Sequence, residues 1–504
     1  MRILLYIVSA SAMLLLKRAL GNLLPNALQH TPRLLPCLIM TTAFSLLIVG
    51  CAEFQDRPLN PAESAIRIEA RRLDDPGLRR FMESLLPVAK SPSKAWDLDR
   101  LTLAAIYYHP DLALARAQAD MANAAAATAA QRPNPFITLT PTWIRNLATT
   151  TAPWIAATMI SIPIETAGKR GYRMGRAAQL ADAARLRVAD AAWQARTRLR
   201  LAMLEVYASQ EAERMSQQQL ALHEAMTQRL EQQLAAGEIA RPEVIRSHIG
   251  LNQLRLNVSG ARKRQVESRV MLAAAIGVPV DALAGIEFDF ANLSTPPELS
   301  TLPIQRLREA ALRERTDVLA ALADYAAAQA ALQLEIANQY PNIQANPGYT
   351  WEVGEHRWAL GAMMPLPILH QNQGAIAEAE ARRRESAARF DALQTRILED
   401  IDRAKAGLEA VHAKWDDAER QMGIQQDSLR SAQALFRAGE TDRLALLGAE
   451  LELAAAERAR LDVLVETQQS VNALEDTLRF SLASKLTPAL ISKSAAKDPP
   501  NETE

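Results

Sequence analysis

Apolar residues recur every three to four positions along two very long stretches of this chain. Tyr172 to Ala236 contains no proline and no glycine except Gly175, and Leu186, Ala189, Trp193, Leu199, Leu204 and Val206 mark its apolar side. Ala375 to Ala438 repeats that length, with Phe390, Leu393, Ile397, Ile401, Leu408 and Val411. At the α-helical rise each predicts a rod of about 100 Å. Propensity alone does not hold such a helix in place, so each belongs in a coiled coil or a wall of helices. Shorter helices are predicted at Pro110–Gln131 and Pro242–Ile276, and again at Arg306–Asn338 and Thr441–Leu482. Each pair, placed end to end, approaches a long helix in length. Gly237 and Gly439 mark the turns between antiparallel helices.

Between the first helix and the long helix of each half the period changes to two. In the second half Ile343, Ala345, Pro347, Tyr349, Trp351 and Val353 alternate with Gln344, Asn346, Gly348, Thr350 and Glu352. Gly354-Glu355 then turns the chain, and Trp358, Leu360, Ala362, Met364 and Leu366 resume the apolar face. The first half has a rougher version: Phe136–Ile144, a polar tip at Arg145–Thr151, then Pro153–Ile164, whose alternation is poor. Trp143, Trp154, Tyr349, Trp351 and Trp358 all fall in these hairpins. Such aromatics suit a bilayer interface, although they also favour strands in a small soluble sheet. Strands of about 9–11 residues fit a transmembrane barrel. Four strands cannot close, and barrels use at least about eight, so three chains supplying twelve strands are expected.

These elements form a repeat. Pro110-Asp111-Leu112 answers to Thr316-Asp317-Val318, Pro133-Asn134 to Pro341-Asn342, Ile162-Pro163-Ile164 to Leu366-Pro367-Ile368, and Ala236-Gly237-Glu238 to Ala438-Gly439-Glu440. The chain thus reads as a signal peptide (1–50), a lipid-anchored equatorial segment (51–97), a first repeat (98–284), a linker (285–304), a second repeat (305–483) and a flexible tail (484–504). Fifty-seven basic residues balance 57 acidic ones, which gives no footprint for nucleic acid. The cysteines are Cys37 and Cys51, so no disulfide framework is available downstream. Ile48-Val49-Gly50-Cys51 resembles a lipobox, cut before a cysteine that receives lipid such as palmitate; the alternatives are an uncleaved hairpin of two apolar helices and an ordinary signal peptide with a chance cysteine. Beyond the leader, the histidines His109, His223, His248, His356, His370 and His412 stand singly, without helical metal-ligand spacing. Neither a catalytic residue, a cofactor site nor a metal site is therefore expected.

From Leu98 to Ala483 the sequence resembles the TolC-type outer-membrane factors. The resemblance rests on the "HPDLALARAQADMANAAAATAAQRPNP" and "RTDVLAALADYAAAQAALQLEIANQYPNI" helices, the proline-bearing strand exits and the two "AGE" turns. It implies a mainly α fold with a small β part: an elongated α-helical barrel continuous with a transmembrane β-barrel built by a homotrimer. It also implies a passive outer-membrane duct, recruited by a periplasmic membrane-fusion adaptor and an inner-membrane pump of the RND type. Gly237, Glu238, Val244, Gly439, Glu440 and Leu446 would then form the adaptor-docking tip. Ile164-Glu165-Thr166-Ala167-Gly168-Lys169-Arg170 resembles the "E-x-G-G-K-R" segment of the cation-efflux (CzcC-like) branch, with Ala167 where a glycine is expected. Acidic residues narrow the family's entrance six and nine positions after the second tip glycine; here those positions are Ala445 and Gly448, leaving Asp442, Glu450 and Glu243 as nearby carboxylates. Heavy-metal cations or small toxic compounds are the expected cargo. Drug efflux, type I secretion and a periplasmic coiled-coil structural protein are the alternatives.

Overall fold

The computed structural model describes residues 52, 54–85, 95–144, 154–297, 303–482 and 488–496. The leader, Cys51 and the polar tip at Arg145–Thr151 lie outside them. The chain divides into two units, residues 1–65 and 66–504. The described part of the first unit holds the start of helix α1 (Pro61–Glu69), where the Asn60 side chain accepts from the Ala62 amide.

The second unit continues with α2 (Pro76–Glu83), α3 (Leu98–Tyr108), α4 (Pro110–Ala129), β1 (Phe136–Trp143), β2 (Trp154–Ile164), α5 (Lys169–Ala235) and α6 (Arg241–Ile276). A second series follows: α7 (Ile304–Glu314), α8 (Thr316–Ala337), β3 (Ile343–Glu352), β4 (Glu355–Met363), α9 (Gln373–Ala438), α10 (Arg443–Leu478) and α11 (Pro488–Ala495). The long helices α5 and α9 run for 67 and 66 residues.

Helix α5 packs against α4 and α6 on one side and against α8 and α10 on the other; α9 packs on α8 and α10. The wall therefore has two free edges, one formed by α4 and α6 and the other by α9. The sheet is antiparallel in the order β1-β2-β3-β4, so its free edges are β1 and β4. Because β1 follows α4 and β4 leads into α9, sheet and wall present the same two flanks.

A belt packs at mid-length of α5. Leu199, Met203, Leu204 and Val206 of α5 are buried with Leu101 and Ala105 of α3, Leu272 and Ile276 of α6, and Leu283 and Leu293 from the chain beyond α6. Trp96 and Phe288 pair as a parallel bridge within it. Full burial of each large aliphatic is worth about 1.5–3 kcal/mol, so this belt is a main anchor of the first half. A separate cluster in the second half joins Val318, Ile397, Ile401, Leu408, Val471 and Leu474.

Three sequence expectations need correction. The helix expected over Arg306–Asn338 is two, because Arg315 takes an extended conformation and spends its guanidinium on Asp317 and on the Thr477 carbonyl. The strand expected through Leu366 stops at Met363, since Pro365 and Pro367 offer no N–H to a ladder. The tail expected to be flexible from Ser484 contains α11, whose Ile491 and Ala495 are buried against α3, α4 and α5. Arg116 of α4 donates to the Ala495 carbonyl at 2.9 Å, capping the helix's negative end. An apolar pair one turn apart is too short a signal to register as periodicity.

Candidate functional site

The sheet register sorts side chains into two faces. Ile137 pairs with Ile160, Leu139 with Thr158 and Trp143 with Trp154; Ile162 pairs with Ala345, Ala156 with Trp351, Tyr349 with Trp358 and Pro347 with Leu360. One face is thus almost wholly apolar across four strands. Leu360 is 84 % exposed on it and Trp358 81 %. The other carries Thr138, Thr140, Thr142, Ser161, Gln344, Asn346, Thr350, Glu352, Glu355 and Arg357. The poor alternation of β2 has a plain cause: Ile155 and Met159 sit on this second face, opposite Glu352 and Gly348. All five sequence-singled aromatics, Trp143, Trp154, Tyr349, Trp351 and Trp358, lie on the apolar face at the hairpin-tip end. Trp143 and Trp154 meet edge to face at 4.6 Å, and Tyr349 lies 4.9 Å from Trp358. Among the described residues no helix is long and apolar enough to cross a membrane.

Where strands become helices, the Glu165–Arg170 segment forms a joint. Ala167 and Gly168 take left-handed backbones, φ 54° and 72°, which explains why glycine is expected at the first position. Lys169 is buried and donates to the Tyr340 carbonyl (2.5 Å) and Asn342 Oδ1 (2.8 Å), tying the first half to the second. Burial holds its ammonium below the ordinary lysine range, with Glu165 opposing that shift. Arg170 and Arg173 donate to the Ala130 and Ala129 carbonyls at the end of α4, and Arg173 pairs with Glu165 at 2.6 Å. The basic run thus caps a helix C-terminus, as the helix dipole favours. In the second half Asn372, φ 63°, takes over: its amide donates to the Glu335 carbonyl and carboxylate. That bond, followed by one from Asn338, holds the Glu335 carboxyl below its usual range.

Sequence reading missed a buried charge network between α5 and α10. Arg196 and Arg200 both face Glu475, at 3.0 and 3.7 Å, and all three are almost fully buried. Arg196 also donates to Ser481, and Arg200 to the Gln468 carbonyl and side chain. Glu475 Oε1 accepts from the Leu482 amide. Burial lowers the Arg200 pKa, Glu475 opposing and Arg196 adding to the shift; an arginine starts so high that it stays charged. The only sequence signal is two arginines four apart on the otherwise apolar side of α5, beside Trp193.

The two tips close as the glycines predict. Gly237 (φ 76°) and Gly439 (φ 75°) end α5 and α9, with Glu238 N bonding the Gln233 carbonyl and Glu440 N the Leu435 carbonyl. Gly237, Glu238, Gly439 and Glu440 are exposed, whereas Val244 and Leu446 are buried and brace the hairpins from inside. Asp442 caps α10 by accepting from Ala445 N, and Glu450 lies 3.8 Å from Arg443. Neither of these two stands as an isolated gate charge. Three of the histidines serve local structure: His109 accepts from Asp111 N, His223 contacts the Ser247 carbonyl, and His248 pairs with Glu231. Among the described residues no three acidic, histidine or cysteine side chains converge to hold a metal.

Comparison with known proteins fits this geometry. Residues 307–478 match the family model described as outer membrane efflux protein. The pyoverdine export outer membrane protein OpmQ of Pseudomonas aeruginosa is 29% identical over 285 residues, spanning 53% of this chain but only 58% of that protein's length. The cobalt-zinc-cadmium resistance protein CzcC of Cupriavidus metallidurans is 23% identical over 323 residues, 63% of this chain and 76% of that one. The outer membrane protein VceC of Vibrio cholerae shares the fold with a TM-score of 0.61 at 21% identity, over 76% of this chain and 95% of that one. Across both halves the chain shares the fold of the outer-membrane channel VceC, and its second half resembles the outer membrane efflux proteins.

Proposed function

We propose that this chain is one third of a passive outer-membrane exit duct in a tripartite efflux system. The supporting observation is that sheet and helical wall expose matching edges on the same two flanks, while one sheet face is apolar. Four strands leave unpaired edges and a greasy face, and closing β1 of one copy on β4 of the next removes both. Three copies give twelve strands and one continuous helical wall. The apolar face then meets lipid and the threonine-rich face lines the pore. Heat-modifiable migration of outer-membrane extracts tests this: a trimer band that collapses to monomer on boiling is expected, and a periplasmic monomer overturns the reading.

The exposed turns at Gly237–Glu238 and Gly439–Glu440 are the surface for a periplasmic adaptor, which recruits an inner-membrane pump of the RND type. Cargo follows the pump. Similarity to both a metal-resistance protein and a siderophore exporter keeps two classes open, divalent metal cations and small organic compounds. A deletion strain that loses tolerance to cobalt, zinc or cadmium supports the first. Unchanged metal tolerance with lost drug tolerance or siderophore export supports the second. A lipid on Cys51 adds a second anchor to the barrel, so Cys51→Ser should lose labelled acyl chain with only a modest loss of export.

A further inference from the structure

The apolar sheet face carries one side chain that does not belong in hydrocarbon. Among the described strand residues, His356 is its only ionisable group besides the Tyr349 phenol. It sits directly across from Trp351, two residues beyond the Val353-Gly354 turn. Tyr349 Oη and His356 Nδ1 lie 2.6 Å apart, which orients the imidazole. Where the phenol donates to Nδ1, or where the ring is protonated, Nε2 carries an N–H, and it has no hydrogen-bond partner among the described residues. The neighbouring cation does not compete: Arg357 is on the opposite face, 2.9 Å from Glu352 and from Glu355. The first hairpin offers the contrast. Among the described residues its rim has the Trp143–Trp154 pair and no ionisable group on this face.

We propose that Tyr349, Trp351, His356 and Trp358 form a binding site for the headgroup of a phosphorylated, sugar-bearing lipid of the outer leaflet. The inference rests on the membrane reading above and adds an occupant to it. Depth supports it: at about 3.4 Å per residue His356 lies roughly 7 Å below the hairpin turn, in the headgroup layer and not in the hydrocarbon. Chemistry supports it as well. An ionisable group on a lipid-facing surface is costly unless a polar partner meets it. An N–H donor pairs with a phosphate oxygen, and exposed tryptophan faces suit the C–H-rich faces of a sugar ring.

The test uses the full chain purified as a trimer in detergent, with lipopolysaccharide as the probe and phosphatidylethanolamine as the control lipid. Bound lipid after gel filtration is measured by mass spectrometry, together with the temperature at which the trimer dissociates. Wild type should retain lipopolysaccharide and dissociate at a higher temperature with it than with phosphatidylethanolamine. His356→Phe, which keeps an aromatic at the rim, should retain at least about fivefold less and lose that difference while remaining trimeric, equivalent to about 1 kcal/mol. Trp358→Ala should act in the same direction. Equal retention by wild type and His356→Phe, or equal protection by both lipids, overturns the site. Absence of any trimer in wild type sinks the duct reading instead, so the two failures are distinguishable.

Discussion

Ala167 illustrates how a single backbone angle can be read from sequence. A glycine is expected there by resemblance, and the φ of 54° supplies the physical reason. An L-residue in the left-handed region costs about 1–2 kcal/mol, part of which a glycine returns as unfolded-state entropy. Ala167→Gly should therefore raise stability by up to about 1 kcal/mol in denaturant titration, and Gly168→Ala should lower it. His109 gives a pH prediction. Burial, reinforced by Arg198 and opposed by Asp111, holds its pKa below the ordinary imidazole value. The unfolded chain then binds the proton first, so stability is full above about pH 6.5 and falls as pH drops toward the lowered folded value. Protonation also removes the acceptor that caps α4. His109→Asn keeps a capping oxygen and should flatten the stability curve between pH 5 and 7, measured by thermal unfolding. Neither the burial of His109 nor its cap was legible from a histidine standing alone before a proline.

At the scale of elements, the long helices, the glycine turns and the second hairpin could be read directly, because each has a strong period or a residue with a backbone preference. Contacts between distant segments could not. The Arg196–Arg200–Glu475 network joins residues nearly 280 apart in sequence, and the run around Arg196 reads as amphipathic helix with a polar intrusion. Glu475→Gln leaves two buried guanidiniums without a counter-charge and should destabilise by about 3–5 kcal/mol. The same limit hid α11. Ile491→Ala removes a fully buried side chain where α11 meets α3 and α5 and should cost about 2–4 kcal/mol in thermal or denaturant unfolding. An unchanged midpoint would mean that the tail is dispensable after all.

For the molecule as a whole, the two faces of the sheet make opposite predictions for the same substitution. Leu360→Arg places a charge on the apolar face, away from both rims, at a cost of about 2–4 kcal/mol, and should sharply reduce the trimer recovered in outer-membrane fractions. Ala359→Arg, one residue earlier and on the polar face, should be inserted normally. Equal behaviour of the two variants would contradict the facing. The β1 flank of each chain comes from its first half and the β4 flank from its second. In a ring closed through these flanks, every seam joins unlike halves of two different subunits, so a chain damaged at either flank still offers a sound one. It can be incorporated, and it then spoils a ring it shares with healthy partners. Co-expressed in equal amounts with the normal gene, such a variant leaves about one ring in eight free of damaged subunits. Flank mutations should therefore behave as dominant alleles, whereas mutations that unfold the chain before assembly should be recessive.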